Sequence, residues 1–277
     1  MGIKITDNDI LYISDIYNSR VVVVDLVSGK NTSVIGSGVG ANVNQFNAPY
    51  DLFITNSSLY VLDYNNNRVQ KSSLDGSNSS TDRSLYGLVW PRYLYFDKNN
   101  NLYLSDTSNH RVVQYTSNST SFTVVAGTGI VGTSTRQLFW PFGIFVNEMG
   151  TIYIADYANH RIMKWLSGAS MGIIAAGNEM YGASLMQVNY PTQIIVDINE
   201  YMYISELGLQ RITRWAPGAS SGVCIAACSG APGSTSTQLY NPHSLTFDRN
   251  GSLYVSDHVN IRIQKFQTFN YSTSSKC

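Results

Sequence analysis

At 277 residues the chain is long enough to bury a large core, and its 18 Lys and Arg balance its 18 Asp and Glu, which removes any general electrostatic drive towards nucleic acid or an anionic membrane. No apolar run approaches the about 18 residues that a membrane-spanning helix needs. No signal peptide is recognisable, and residues 2–6, which fit a loose myristoylation pattern, align better with the first strand of a repeat.

One ten-residue pattern recurs six times, at residues 11–20, 59–68, 102–111, 152–161, 202–211 and 253–262. Each copy has a Tyr three residues before an acid and an Arg five residues after it. The pairs are Asp15 and Arg20, Asp63 and Arg68, Asp106 and Arg111, Asp156 and Arg161, Glu206 and Arg211, Asp257 and Arg262. In the fourth copy Ile152–Asp156 and Arg161–Trp165 are short, β-branched and aromatic, so both read as strands joined by a four-residue loop. Asn159 suits that loop because Asn tolerates left-handed backbone. The hairpin sets acid and Arg opposite each other, where they can form charge-assisted bonds. Six catalytic acids are one reading of this; a structural clamp in every repeat is the simpler one, since a repeat cannot bury its faces alone.

Each full repeat predicts four strands, here called a to d. In the fourth they are Pro141–Val146, Ile152–Asp156, Arg161–Trp165 and residues 172–176. Gly, Ser and Asn-rich connections lead to the next strand a, opened by Pro49, Pro91, Pro141, Pro191 or Pro242, where no ladder donor is needed. Helical periodicity is absent. Six four-stranded antiparallel sheets, apolar on both faces, bury themselves by radial stacking, which makes the chain an all-β, six-bladed β-propeller in one domain. The predicted blades span about 2–40, 41–83, 84–132, 133–182, 183–233 and 234–277. Ring closure is the weak point. Blade one lacks its proline, and strand d of blade six falls near Thr273, where Ser274, Ser275 and Lys276 supply no apolar strand. Either residues 269–271 substitute for it, or the last blade is incomplete, or the chain belongs to a longer protein.

The motif Leu-Tyr-x-x-Asp-x-x-Asn-x-Arg-[Val/Ile] occurs at residues 11–21, 59–69, 102–112 and 253–263, with 152–162 differing at its first position. On these residues the chain resembles the NHL-repeat family, and Asn109-His110-Arg111 and Asn159-His160-Arg161 are close to the family's namesake triplet. The signature dipeptide of tryptophan–aspartate propellers is missing. Blade five departs, with Glu206 for Asp and Leu209 for Asn, and a looser hairpin is expected there.

In a four-stranded meander the a–b and c–d turns lie at one end of the ring, and the b–c loops and d–a connections at the other. All six Asn-x-Ser/Thr sequons map to the first end: Asn56 and Asn250 in a–b turns, Asn31, Asn78 and Asn118 in c–d turns, and Asn270 after the last strand c. Turns rich in Asn and Ser generate sequons by composition alone. The functional reading is a glycosylated, extracellular or luminal protein with a bare binding face; without glycans the chain would be cytoplasmic. The second end carries the residues following each strand-opening proline: Tyr50, Arg92, Phe142, Thr192 and His243, with Asp51, Tyr93, Gln193 and Ser244 beside them. The b–c loops add Tyr17, Tyr64, His110, Tyr157, His160 and His258. Equivalent positions with unlike chemistry suit an asymmetric pocket, and also suit lack of constraint.

The resemblance implies a non-catalytic scaffold presenting loops to a protein, peptide, glycan or small ligand. Some similar propellers are metal-dependent lyases that cleave hydroxyglycine peptides, with zinc held by three His at Pro-His positions. Here Pro242-His243 alone fits, so no metal or other cofactor is expected. Asp51 is the one acid beside a strand-opening proline, which does not make a calcium-dependent hydrolase. RNA binding needs a basic stripe, and Arg92 is the sole cation of the set. Cys224 and Cys228 lie on a predicted strand about 13 Å apart, too far to bond unless the chain bends at Ala227. Cys277 has no partner in the pattern.

Overall fold

A computed structural model of the chain describes residues 1–117 and 119–267, and over these it is a six-bladed β-propeller. The first sheet is β1 (Ile3–Ile5), β2 (Ile10–Asp15), β3 (Arg20–Asp25) and β4 (Lys30–Ile35). The second is β5 (Pro49–Ile54), β6 (Ser58–Asp63), β7 (Arg68–Ser73) and β8 (Ser80–Ser84), and the third β9 (Pro91–Phe96), β10 (Leu102–Asp106), β11 (Arg111–Tyr115) and β12 (Thr123–Ala126). The fourth is β13 (Pro141–Val146), β14 (Ile152–Asp156), β15 (Arg161–Trp165) and β16 (Ile173–Ala176); the fifth is β17 (Pro191–Val196), β18 (Met202–Glu206), β19 (Arg211–Trp215) and β20 (Val223–Ala226). The sixth has three strands among the described residues, β21 (Pro242–Phe247), β22 (Leu253–Asp257) and β23 (Arg262–Phe266). Every sheet is an antiparallel meander. The innermost strands touch in cyclic order β1, β5, β9, β13, β17, β21 and back to β1, which closes the ring. Residues 269–271, Thr273, Asn118, Asn270 and Cys277 lie outside the described residues.

The core lies between blades rather than within them. Each apolar cluster joins neighbouring sheets: Tyr103 and Val112 of blade three meet Ile144, Met163 and Trp165 of blade four, and Ile212 of blade five meets Leu245 and Val255 of blade six. Among the described residues the seam between blades six and one is the thinnest, with Ile3, Leu11 and Tyr254 buried. Polar bonds reinforce that closure, for Ile3 N–H donates to Ser244 Oγ at 3.3 Å and Ser256 Oγ to the Met1 carbonyl at 3.0 Å.

The acid–Arg pairs sit where the repeat predicts. Arg161 Nε lies 2.7 Å from Asp156, and its Nη atoms donate to the carbonyls of Thr133, Ser134 and Gln137 in the preceding d–a connection. Arg68 and Arg262 do the same, with Nε at 2.8 Å from Asp63 and 2.7 Å from Asp257. The other carboxylate oxygen accepts the N–H of a residue just before strand a, as Phe139 N–H does to Asp156 at 2.7 Å. One acid therefore ties together strand a, the b–c loop and the connection. In blade five the contact is longer, Arg211 Nη2 to Glu206 at 3.2 Å, and Arg211 Nε is buried without a partner.

Two expectations need correction, and one open pairing is decided. The left-handed residue of the b–c turn is the one after the predicted Asn: Ser19, Asn67, His110, His160, Gln210 and Ile261 have φ between 51° and 54°. Asn159 is the last residue of a short 3-10 turn, and its amide donates to Asp156 and to the Gly132 carbonyl. Asn31 stands in β4 opposite Val24, and not in the c–d turn, though it is exposed as Asn56, Asn78 and Asn250 are. Cys224 and Cys228 are disulfide-bonded with Cα atoms 5.7 Å apart, because Ala227 takes φ 52° and bends the end of β20.

Candidate functional site at the channel mouth

In blades two to six strand a opens with a register shift against strand b, between Pro141 and Ile144 in blade four and at equivalent points in the other four. Such a bulge re-aims side chains. A serine one residue before the acid bonds the start of a strand a, its own or the next blade's, in four blades. Tyr93 N–H donates to Ser105 Oγ at 3.0 Å and Ser244 N–H to Ser256 Oγ at 2.7 Å, while Ser14 bonds Tyr50 O and Ser205 bonds Pro242 O. The repeated Ser-Asp or Ser-Glu dipeptide is the sequence signal for these serines.

The bulges bring residues of distant blades together. Tyr93 of blade three is buried and its hydroxyl donates to the His243 carbonyl of blade six at 3.2 Å, so its ring spans the channel and floors the mouth. Above it, Arg92 lies over two aromatic faces, 5.1 Å from the Tyr50 centroid and 4.6 Å from that of Phe142. Its Nη1 donates to Tyr50 Oη at 2.5 Å. Its Nε is buried with no partner, and no acid pairs with it among the described residues. Phe142 stacks on Tyr157 at 4.2 Å, and Tyr157 meets Tyr190 at 4.9 Å. Across the mouth His243 approaches His258 at 4.9 Å, and Tyr17 Oη lies 3.3 Å from His258 Nε2. The Nδ1 atoms of both histidines are buried without partners.

The nine proposed ligand residues therefore divide. Tyr50, Arg92, Phe142 and His243 line the mouth and Tyr93 is its floor. Thr192 is spent on the carbonyls of Pro242 and Ser205, at 3.0 and 3.3 Å, and Ser244 on the closure. Asp51 and Gln193 are wedged between innermost strands, where only glycine leaves room. A Cβ on Gly2 would come within 2.2 Å of Asp51 Oδ1, and one on Gly143 within 2.1 Å of Gln193 Oε1.

Burial sets the protonation of the mouth. It holds the His243 imidazole well below the usual histidine range, helped by neighbouring positive charge, and lowers His258 as well. It pushes the phenols of Tyr50, Tyr64 and Tyr157 up and that of Tyr93 far up. The Met1 amino group, also in the channel, is lowered to about 5 by burial. Burial raises Asp51 too, opposed by Lys4 and by the Leu94 N–H that donates to it at 3.1 Å.

His110 and His160 take a structural position. Their Nδ1 atoms accept the N–H of Trp140 and Tyr190, at 3.2 and 3.3 Å, so each b–c loop staples the next blade's strand a. Gln210 does this to Asn241 in blade five. The stapled residues precede the strand-opening prolines, and Trp90, Trp140 and Tyr190 hold φ of 53°, 52° and 48° there, a costly backbone for a bulky side chain. The two tryptophans stand exposed at the rim. At the opposite end a groove of about 240 Å³ between blades three and four includes Asp97, Tyr103 and Glu148; Asp97 is already engaged by Asn99, Asn101 and Tyr103.

The NHL repeat profile matches residues 239–266, the whole hairpin of blade six, and the same pattern builds the other blades. The chain is a six-bladed β-propeller, and its sixth blade carries an NHL repeat. Curated protein sequences offer no match. Among solved structures the propeller is similar to an auxiliary nutrient-binding protein from Bacteroides thetaiotaomicron VPI-5482, at 14% identity, TM-score 0.70, over 95% of this chain and 68% of that one. It is also similar to virginiamycin B lyase from Staphylococcus aureus, at 14% identity, TM-score 0.61, over 99% and 85% of the two chains. A third is the calcium-binding protein regucalcin from Agrobacterium tumefaciens str. C58, at 12% identity, TM-score 0.62, over 92% and 80%. These likenesses show the fold; the three named activities differ, so fold alone selects none of them. Among the described residues no group of three or more His, Cys, Asp and Glu is arranged to hold a metal ion.

Proposed function

We propose that this six-bladed propeller is a non-catalytic binding module that takes a small ligand, or a group projecting from a protein, peptide or glycan, at its channel mouth. One observation carries the reading. Equivalent positions of different blades, which repeat their chemistry at the clamps, hold Tyr50, Arg92, Phe142 and His243 here, converging above a plugged channel with bonding capacity unspent. Aromatic walls with a few convergent polar groups are the usual lining of a ligand site. The test is a thermal-shift screen of the propeller, with every hit repeated on Arg92→Met and Phe142→Ala. Hits that vanish in both variants support the site, and hits indifferent to both sink it.

The same reading places the protein on the secretory route, with glycans at the turn end. Exposed sequons at Asn31, Asn56, Asn78 and Asn250 and the Cys224–Cys228 disulfide support it. Intact mass of native-source protein, with and without a glycosidase, decides this; an unglycosylated, reduced chain would overturn it.

The lyase reading retains one specific support, the His243–His258 contact, which supplies a second imidazole beside the single Pro-His. Stoichiometric tightly bound zinc in purified protein would favour it over a binding module.

A further inference from the structure

A guanidinium carries five N–H donors, and a buried one costs free energy unless they are met. The clamp arginines meet theirs: Arg68, Arg161 and Arg262 each spend Nε on a carboxylate and both Nη atoms on carbonyls. Arg92 stands on the same face and does not. One donor reaches Tyr50 Oη, a neutral acceptor, and Nε reaches nothing. The rings of Tyr50 and Phe142 cover its faces, so the bonding capacity that remains lies along the edge of the guanidinium plane. That edge is a rigid fork which matches a flat, two-oxygen anion.

A second observation points the same way. His243 is more than nine-tenths buried, and its Nδ1 and that of His258 lack partners. Both are buried polar groups beside the mouth whose bonding capacity is unspent. Among the described residues no acid pairs with Arg92, although the charge of Asp51 reaches the Tyr50 and Tyr93 phenols. The phenols of Tyr50, Tyr64, Tyr93 and Tyr157 are held neutral, and Asp51 is turned between β1 and β5, against Gly2 and the Leu94 N–H. The remaining walls are flat and apolar, with Phe142 stacked on Tyr157 and the Tyr93 ring as floor.

We propose that the channel mouth is a site for a small carboxylate attached to a flat, apolar ring, with Arg92 receiving the carboxylate and Tyr50, Phe142 and Tyr157 holding the ring. This rests on the reading of the mouth as the binding site. A tetrahedral anion such as phosphate meets the same charge but gains nothing from the aromatic walls.

The test is ligand-observed NMR titration of the full chain with benzoate and phenylacetate, against benzamide and phenylacetamide of the same shape, and against inorganic phosphate. The expected result is that the acids bind and the amides bind at least about tenfold more weakly. Arg92→Met should remove that preference, Arg92→Lys should restore only part of it, and the melting temperature should stay in place. Amides that equal acids, or an acid preference that survives Arg92→Met, overturn the carboxylate class. If Phe142→Ala still abolishes that binding, the mouth remains the site. Phosphate competing as well as benzoate overturns the flat-ring assignment. Acids that bind equally to Arg92→Met and Phe142→Ala sink both the class and the site, and failure of every acid to bind at millimolar concentration overturns the proposal.

Discussion

Arg161 and Arg92 lie at the same end of the ring and are treated in opposite ways. Arg161 is fully buried, with Nε on Asp156, its Nη atoms on three carbonyls, and a further ion pair to Glu179. Arg92 has two aromatic faces, one phenol oxygen and an idle Nε. The first belongs to a residue that every blade repeats, the second to a position that no two blades share. Repetition marks what holds the ring; its failure at the innermost strands marks where bonding capacity is left over.

The largest effect should come from the repeated side. Arg161→Ala leaves Asp156 buried beside an empty space and should cost about 3–5 kcal/mol in denaturant unfolding. Arg20, whose side chain is 43% exposed with Asp15 as its partner, should lose less than about 1 kcal/mol by the same change. Equal losses would show that burial does not decide what a clamp contributes.

Blade five sharpens it. Its acid–Arg contact is the long one, and a disulfide closes the corner at Ala227 instead. Cys228→Ser should cost roughly 2 kcal/mol by the loop-closure argument. Reductant should lower the melting temperature of the wild type to that of the variant, which reductant should not change.

A smaller effect is set by pH. Burial lowers His110 and His160, and each must be neutral at Nδ1 to accept its backbone N–H. With the folded value below the unfolded one, the unfolded chain binds more protons. Their contribution is therefore present above the unfolded imidazole value, near pH 6.5, and is lost as pH falls through the lower folded value. The melting temperature should drop between about pH 7 and pH 5. His160→Gln, which copies Gln210, should keep stability at neutral pH and weaken the slope. An unchanged slope would remove the staple role.

The smallest effect belongs to the mouth. Arg92→Met with His243→Gln should change folding stability by less than about 1 kcal/mol while removing ligand binding. A loss matching that of Arg161→Ala would make Arg92 one more structural residue.

The blades, their strands and the acid–Arg hairpins are legible in the sequence, because short β-branched and aromatic runs, strand-opening prolines and a six-fold repeat are local signals. The sequence also marked Tyr50, Arg92, Phe142 and His243 as equivalent and chemically unlike. It misplaced the left-handed turn residue by one position, since His160 takes that backbone while Asn159 spends its amide on Asp156. It left the disulfide open, because bonding depends on a single bend at Ala227. Only the tertiary structure decided that Tyr93 crosses the channel to His243, that His258 stands beside His243, and that Asp51 and Gln193 turn away into the gaps at Gly2 and Gly143. Those contacts join residues as much as 150 positions apart, and they exist because ring closure brings the ends of the innermost strands together. No local pattern carries that information: it resides in the radius of the ring and in the space that each neighbour's side chain leaves.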